Sequence, residues 1–239
     1  MRRIRLPIGR SLFLVAAFLF ALVALLPLRL AASWFGMESA GFSAREASGS
    51  VWLGTLKQAR VGPLELGDVQ ARLNTLPLLL GRARVTLARP GGSDPFEGAV
   101  TVSRSGFGFD DVTGSVGASA LSAALPIASL ELADFTAGFA RGRCERAEGR
   151  VRAEVSPQAA GLGLPSAFDG TVRCADGALL ILLASQTGME RINLSLTGDG
   201  RYRADLLVRS IEPALAPSLA AAGFRRSANG WLRRFDGSF

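Results

Sequence analysis

The runs Arg191-Ile192-Asn193-Leu194-Ser195-Leu196-Thr197 and Tyr202-Arg203-Ala204-Asp205-Leu206-Leu207-Val208-Arg209, separated around Gly198-Asp199-Gly200, decide the fold class. In the first run Ile192, Leu194 and Leu196 alternate with polar residues. That period of two is the mark of a strand with one buried face. Gly-Asp-Gly between two such runs reads as a hairpin turn, because glycine reaches the positive φ values that tight hairpins need.

The same cadence extends outward in both directions. Gly170–Cys174 and Ala178–Ala184 flank Asp176-Gly177, a second hairpin turn, and Gly149–Val155 precedes them. Toward the N-terminus come Phe107–Val112, Gly98–Ser103, Arg82–Ala88 and Asp68–Asn74, where Val69, Ala71 and Leu73 share one face. Ser50–Leu56, containing Trp52, reads as the first strand, and Gly230–Phe235, containing Trp231, as the last. Segments of about six residues between turn signals predict an antiparallel, mainly β domain. Two stretches break the rhythm. Ser115–Ala124, rich in Ala and Ser, is expected as a short helix ending before Pro126. Glu212–Ala222 reads as another, with Pro213 at its start, Gly223 at its stop, and Leu215 and Leu219 on one face. Arg89–Pro95 and Gly161–Pro165 are loops too short to divide domains, so the region from about residue 38 to 239 is one unit with a soft division near Leu125–Ala140.

The N-terminus differs. Ser11–Leu26, SLFLVAAFLFALVALL, is uncharged and apolar, and Ile8–Leu28 supplies the roughly 20 residues a spanning helix needs. Arg2, Arg3, Arg5 and Arg10 precede it and no acidic residue occurs before Glu38, which orients the N-terminus to the cytoplasm. The expected organisation is a cytoplasmic tip at 1–9, a transmembrane anchor at 10–32 and an exported β-rich domain at 33–239. A cleaved signal peptide is the rival reading, with Ala31-Ala32-Ser33 as its site, and it exports the same domain.

Composition narrows the function. The 239 residues include no His, one Lys (Lys57) and one Tyr (Tyr202). Triads built on His, and metal sites that use it, are therefore excluded. The formal charge of +7 is concentrated at the N-terminus; from Ser33 onward 22 basic residues face 20 acidic ones. Even the densest basic run, Arg141–Arg152, is threaded with Glu145 and Glu148, so it reads as a solvated face and not a nucleic-acid surface. Asp110-Asp111, as strand neighbours, point to opposite faces and make no acid–base pair. Gly106–Phe109 opens no helix and is no phosphate cradle. No catalytic, cofactor-binding or metal-binding residue emerges, and no cofactor is implied. Cys144 and Cys174, the only cysteines, lie in the exported part, where an even count reads as a disulfide. Trp52 and Trp231 remain as core aromatics or partner-binding ones.

The chain resembles the type II secretion system protein N family (general secretion pathway protein N). The resemblance is carried by the single N-terminal anchor, by Gly49-Ser50-Val51-Trp52-Leu53-Gly54, and by Leu73-Asn74-Thr75-Leu76-Pro77-Leu78-Leu79-Leu80-Gly81. Cys144 and Cys174 and the closing Gly230-Trp231-Leu232-Arg233-Arg234-Phe235-Asp236-Gly237 complete it. One departure is Ala71, where an aromatic is expected. The resemblance implies a non-catalytic, single-pass protein of the bacterial inner membrane, whose periplasmic domain is a curved, AsmA-like antiparallel sheet with one or two short helices. Its implied partners are other secretion subunits (inner-membrane platform, pseudopilus or secretin), with membrane lipid met through the anchor and no nucleic acid. The alternative is a periplasmic AsmA-like lipid-binding or lipid-transfer module, with an apolar sheet face shielding acyl chains.

Overall fold

The computed structural model describes residues 12–18, 21, 25, 42–61, 64–89, 91, 94–118, 127–157, 163–209 and 213–238. Residues 12–18 are helical. The expected anchor at 10–32 otherwise lies mostly outside the described residues, and no helix among the described residues is long and apolar enough to cross a membrane.

The rest is one antiparallel sheet of fifteen strands. In chain order they are β1 (Phe42–Ser43), β2 (Glu46–Gly49), β3 (Gly54–Val61), β4 (Leu64–Asn74), β5 (Arg82–Arg89), β6 (Phe96–Ser103), β7 (Gly106–Gly117) and β8 (Ile127–Ala140). They continue with β9 (Arg143–Val155), β10 (Ala167–Ala175), β11 (Ala178–Ala184), β12 (Glu190–Leu196), β13 (Arg201–Val208), β14 (Arg225–Ser227) and β15 (Gly230–Ser238). From β3 to β13 every strand pairs with its chain neighbour, and β15 then lies between β13 and β14. β1 and β2 both lie on the free side of β3. The predicted soft division near Leu125–Ala140 is bridged, because β7 and β8 pair from Gly106↔Ala140 to Gly117↔Ser129.

A single sheet buries one face only by curling on itself. Bulges supply the bend, since an extra residue on one strand sharpens the local twist. Gln58, Asp111 and Asp134 hold positive φ values of 50°, 49° and 54°. Each has its amide satisfied from a neighbouring strand: by Asp68 Oδ1 at 2.9 Å, by Thr136 Oγ1 at 3.2 Å and by Thr113 Oγ1 at 3.1 Å. The register shifts between β3 and β4, β7 and β8, and β8 and β9 fall at these residues. The inward side chains form one continuous cluster running from Leu56 on β3 to Phe235 on β15, with Phe168, Ile192, Leu206 and Leu219 among the most enclosed.

The sheet rolls twice. We call the end where the chain enters at Phe42 proximal and the opposite end distal. In the first roll β4 pairs β7 at Glu65↔Gly117, which closes β4–β7 at the proximal end. Arg89 fastens that closure. Its guanidinium donates to the carbonyls of Leu66 (2.9 Å), Ser115 (3.0 Å) and Asp94 (2.9 Å), tying β4, β7 and the β5–β6 loop together. The second roll closes at the distal end. The β8–β9 and β12–β13 turns meet there so tightly that a Cβ on Gly198 would lie 2.7 Å from the Gly142 carbonyl oxygen.

Two sequence expectations change. Ser50–Leu56 is not one strand. Gly49, at φ 88°, turns the chain, and a Cβ there would lie 2.7 Å from the Leu53 carbonyl oxygen, so Ser50–Leu53 form a tight turn between β2 and β3. Ser115–Gly117 belong to β7 and not to a helix, because Val116 is needed in the core; residues 119–126 lie outside the described residues. The second expected helix is present as a 3-10 turn at Pro213–Leu215 followed by α2 (Ala216–Ala221). Leu219 is fully buried on it, Leu215 packs against the core, and Gly223 ends it at φ 85°. The link Leu73–Gly81 contains α1 (Thr75–Leu79).

Candidate interaction surface

The hairpin tips are the least uniform part of the molecule. Distally, the second roll presents Arg141-Gly142, Asp176-Gly177 and Thr197–Gly200. Cys144 and Cys174 flank two of these turns and form the expected disulfide, with Cα atoms 5.5 Å apart. The β9–β10 ladder stops at Thr171↔Arg150, so the bond holds the far ends of these strands where backbone pairing does not. The Cys144 amide also donates to the Gly177 carbonyl at 2.8 Å.

At the β12–β13 turn Asp199 accepts from the Thr197 hydroxyl and pairs with Arg201 at 2.6 Å. The Thr197 hydroxyl and then the Arg201 guanidinium stabilise the ionised carboxylate and lower its pKa to about 2, against a smaller opposing effect of desolvation. The basic run on β9 is partly ion-paired, within the strand and to its neighbours. Arg146 bonds Glu148, and Arg152 reaches Asp169 at 3.0 Å and Glu131 at 3.9 Å. Asp110 is occupied by Arg84 at 3.0 Å and Thr101 at 2.8 Å, while Asp111 sits exposed on its bulge.

Trp52 and Trp231 are not brought together. Trp52 is half-buried in the distal Ser50–Leu53 turn, where the Ser50 hydroxyl accepts from the Leu53 amide at 3.2 Å. Trp231 lies at the start of β15, opposite Val208 and Arg226, and packs half-buried on the core. Beyond it, β15 is unusual. β14 pairs only with Gly230–Leu232, so Arg233–Ser238 have β13 on one side and no strand on the other among the described residues. Arg233 lies over the Phe235 ring at 4.5 Å, and Arg234 pairs with Asp205 at 2.7 Å.

A cleft of about 440 Å³ lies elsewhere, lined by Arg45, Glu46, Lys57, Gln58 and Asp68. Lys57 pairs there with Glu46 at 3.0 Å, which raises its pKa by hydrogen bond and charge. All five lining residues carry polar or charged groups. Among the described residues no three metal-ligating side chains converge.

Sequence reasoning missed Arg89, the bulge residues and the exposure of the α1 leucines. Arg89 was legible only as the start of a loop. The leucines were visible as a run but carried no sign of the face they take.

The family model described as type II secretion system (T2SS), protein N matches residues 40–234, which takes in nearly all of the sheet. No curated protein and no solved structure matches the chain.

Proposed function

Because the chain belongs to the type II secretion system protein N family, and so is a component of that machinery, we propose that it acts as a non-catalytic, inner-membrane-anchored subunit with its sheet in the periplasm. The observation that carries this reading is the family match over residues 40–234. The apolar run at Ser11–Leu26 with arginines before it supports the anchor and its orientation. The half-open strand β15 supports a mode of contact. An extended segment of a platform, pseudopilus or secretin subunit adds to Arg233–Ser238 by backbone hydrogen bonds, with side-chain pockets giving selectivity.

The test is isolation of the full chain in mild detergent from cells that make the secretion machinery. Co-isolation of an identified platform, pseudopilus or secretin subunit is expected. Recovery of the chain from the inner membrane with none of them would overturn the proposed role.

A further inference from the structure

Among the described residues from 42 onward the exposed large apolar side chains are Leu53, Leu76, Leu78, Leu79, Leu80, Val102, Phe107 and Met189. All but Met189 belong to the distal tips of the first roll. The register places them side by side. Gly54 faces Ala71 near the end of β4, Arg82 faces Ser103 at the next hairpin, and Gly106 faces Ala140 at the one after. Leu76, Leu79 and Leu80 are 76%, 85% and 78% exposed, although a leucine in this fold has a core available to it. Three successive connections at the distal end thus carry or adjoin exposed aliphatic or aromatic side chains.

The charges on this rim have one sign. Gly49–Thr55, Asn74–Arg84 and Val100–Gly108 contain Arg82, Arg84 and Arg104 and no acidic residue. Arg84 is paired with Asp110 further along β7. The solvated parts of the domain elsewhere alternate both signs. Protruding apolar side chains ringed by arginine, with acid excluded, are the surface chemistry of interfacial membrane binding. Leu53 and the α1-link leucines stand on turns outside the strands, whereas Val102 and Phe107 end the adjoining strands, Phe107 stacking on Phe139 at 5.0 Å.

We propose that the distal rim of the first roll rests on an anionic lipid bilayer, with Leu76, Leu79 and Leu80 in the acyl boundary and Arg82 and Arg104 at the headgroups. The inference rests on the anchored reading for its geometry. The thirteen residues from Arg29 to Gly41 reach roughly 43 Å when extended, whereas the eleven residues of β4, which lead to the rim, span about 36 Å. A tether entering at the proximal end is therefore long enough for the distal rim to lie on the same membrane.

The experiment uses the full chain reconstituted in vesicles of phosphatidylethanolamine and phosphatidylglycerol, with an environment-sensitive fluorophore on Leu79→Cys. Nitroxide-labelled lipid is expected to quench that probe, and to leave a probe on Met189→Cys unaffected. Arg82→Gln and Arg104→Gln are expected to weaken the contact about fivefold each, as the loss of one basic group near an anionic surface does. Phosphatidylcholine alone is expected to weaken it further. An aqueous, unquenched Leu79 probe on a chain that floats with the vesicles overturns the rim contact and leaves the anchor standing. Failure to float overturns both. A Leu79 probe that becomes apolar in native membranes without lipid quenching identifies a protein surface there and overturns the lipid assignment.

Discussion

The two rolls share one sheet and one core yet close by different chemistry at opposite ends. The first, β3–β7, is drawn together proximally by the β4–β7 bridge and three hydrogen bonds from Arg89, and its distal tips carry exposed leucines. The second, β8–β15, is fastened distally by the Cys144–Cys174 bond and by glycine packing, and α2 contributes Leu219 to the core between β13 and β14. The second roll spends its tips on holding itself together. The first fastens itself elsewhere, which leaves its distal tips free to carry apolar side chains that none of the described residues covers. The contrast teaches that exposure here is local and placed, because the same hairpin architecture buries or polarises its tips a few strands away.

The largest effect is expected in the shared core. Phe168→Ala removes a fully buried ring and should lower unfolding free energy by about 3–5 kcal/mol in denaturant titration. Because the core is continuous, one transition should shift as a whole; two transitions would show that the rolls are separate units. Next is the covalent fastening. Cys144→Ser with Cys174→Ser releases a loop with a sequence separation of 30 and should cost about 3–4 kcal/mol, read as a lower melting temperature that reductant no longer affects.

The non-covalent fastening is weaker. Arg89→Met leaves three carbonyls without their donor and should cost about 2 kcal/mol, with faster amide exchange in β4 and β7. Arg89→Lys should not restore it, since an ammonium lacks the planar fork that reaches three acceptors. Smaller still is the Asp199 turn. Its folded pKa is depressed, so its contribution is complete above the ordinary carboxylate range and is lost as pH falls through about 2. A carboxyl NMR titration should show this midpoint, and Thr197→Val should move it upward. The smallest effect on folding belongs to the leucine rim. Leu79→Ser should change stability by less than about 0.5 kcal/mol, because the side chain is already in water; a larger loss in thermal unfolding would mean that the rim supports the fold.

The strand cadence, both hairpin turns, the disulfide and the Pro213–Gly223 helix were legible because each follows from a local rule. Ile192 and Leu206 alternate with polar neighbours, and glycine marks the turns. What local rules hide is curvature. Asp111 and Asp134 look like ordinary strand residues until Thr136 and Thr113 from the neighbouring strand satisfy their amides. Arg89 is likewise defined by carbonyls 23 and 26 residues away. Trp52 was assigned to a strand because its neighbours favour one, and the crowding at Gly49 overrides that preference. The candidate surface was least legible, since Leu76–Leu80 reads equally well as buried or exposed until the sheet rolls.

The proposed contact with the secretion machinery is the open edge of β15. The most direct measurement is photo-crosslinking in intact cells from a photoreactive residue at Asp236, on the free half of β15, compared with one at Gln186 on the β11–β12 turn. The account predicts that the Asp236 position captures a platform, pseudopilus or secretin subunit and that the turn position does not. Capture of no secretion subunit from Asp236, or equal capture from both positions, would contradict it.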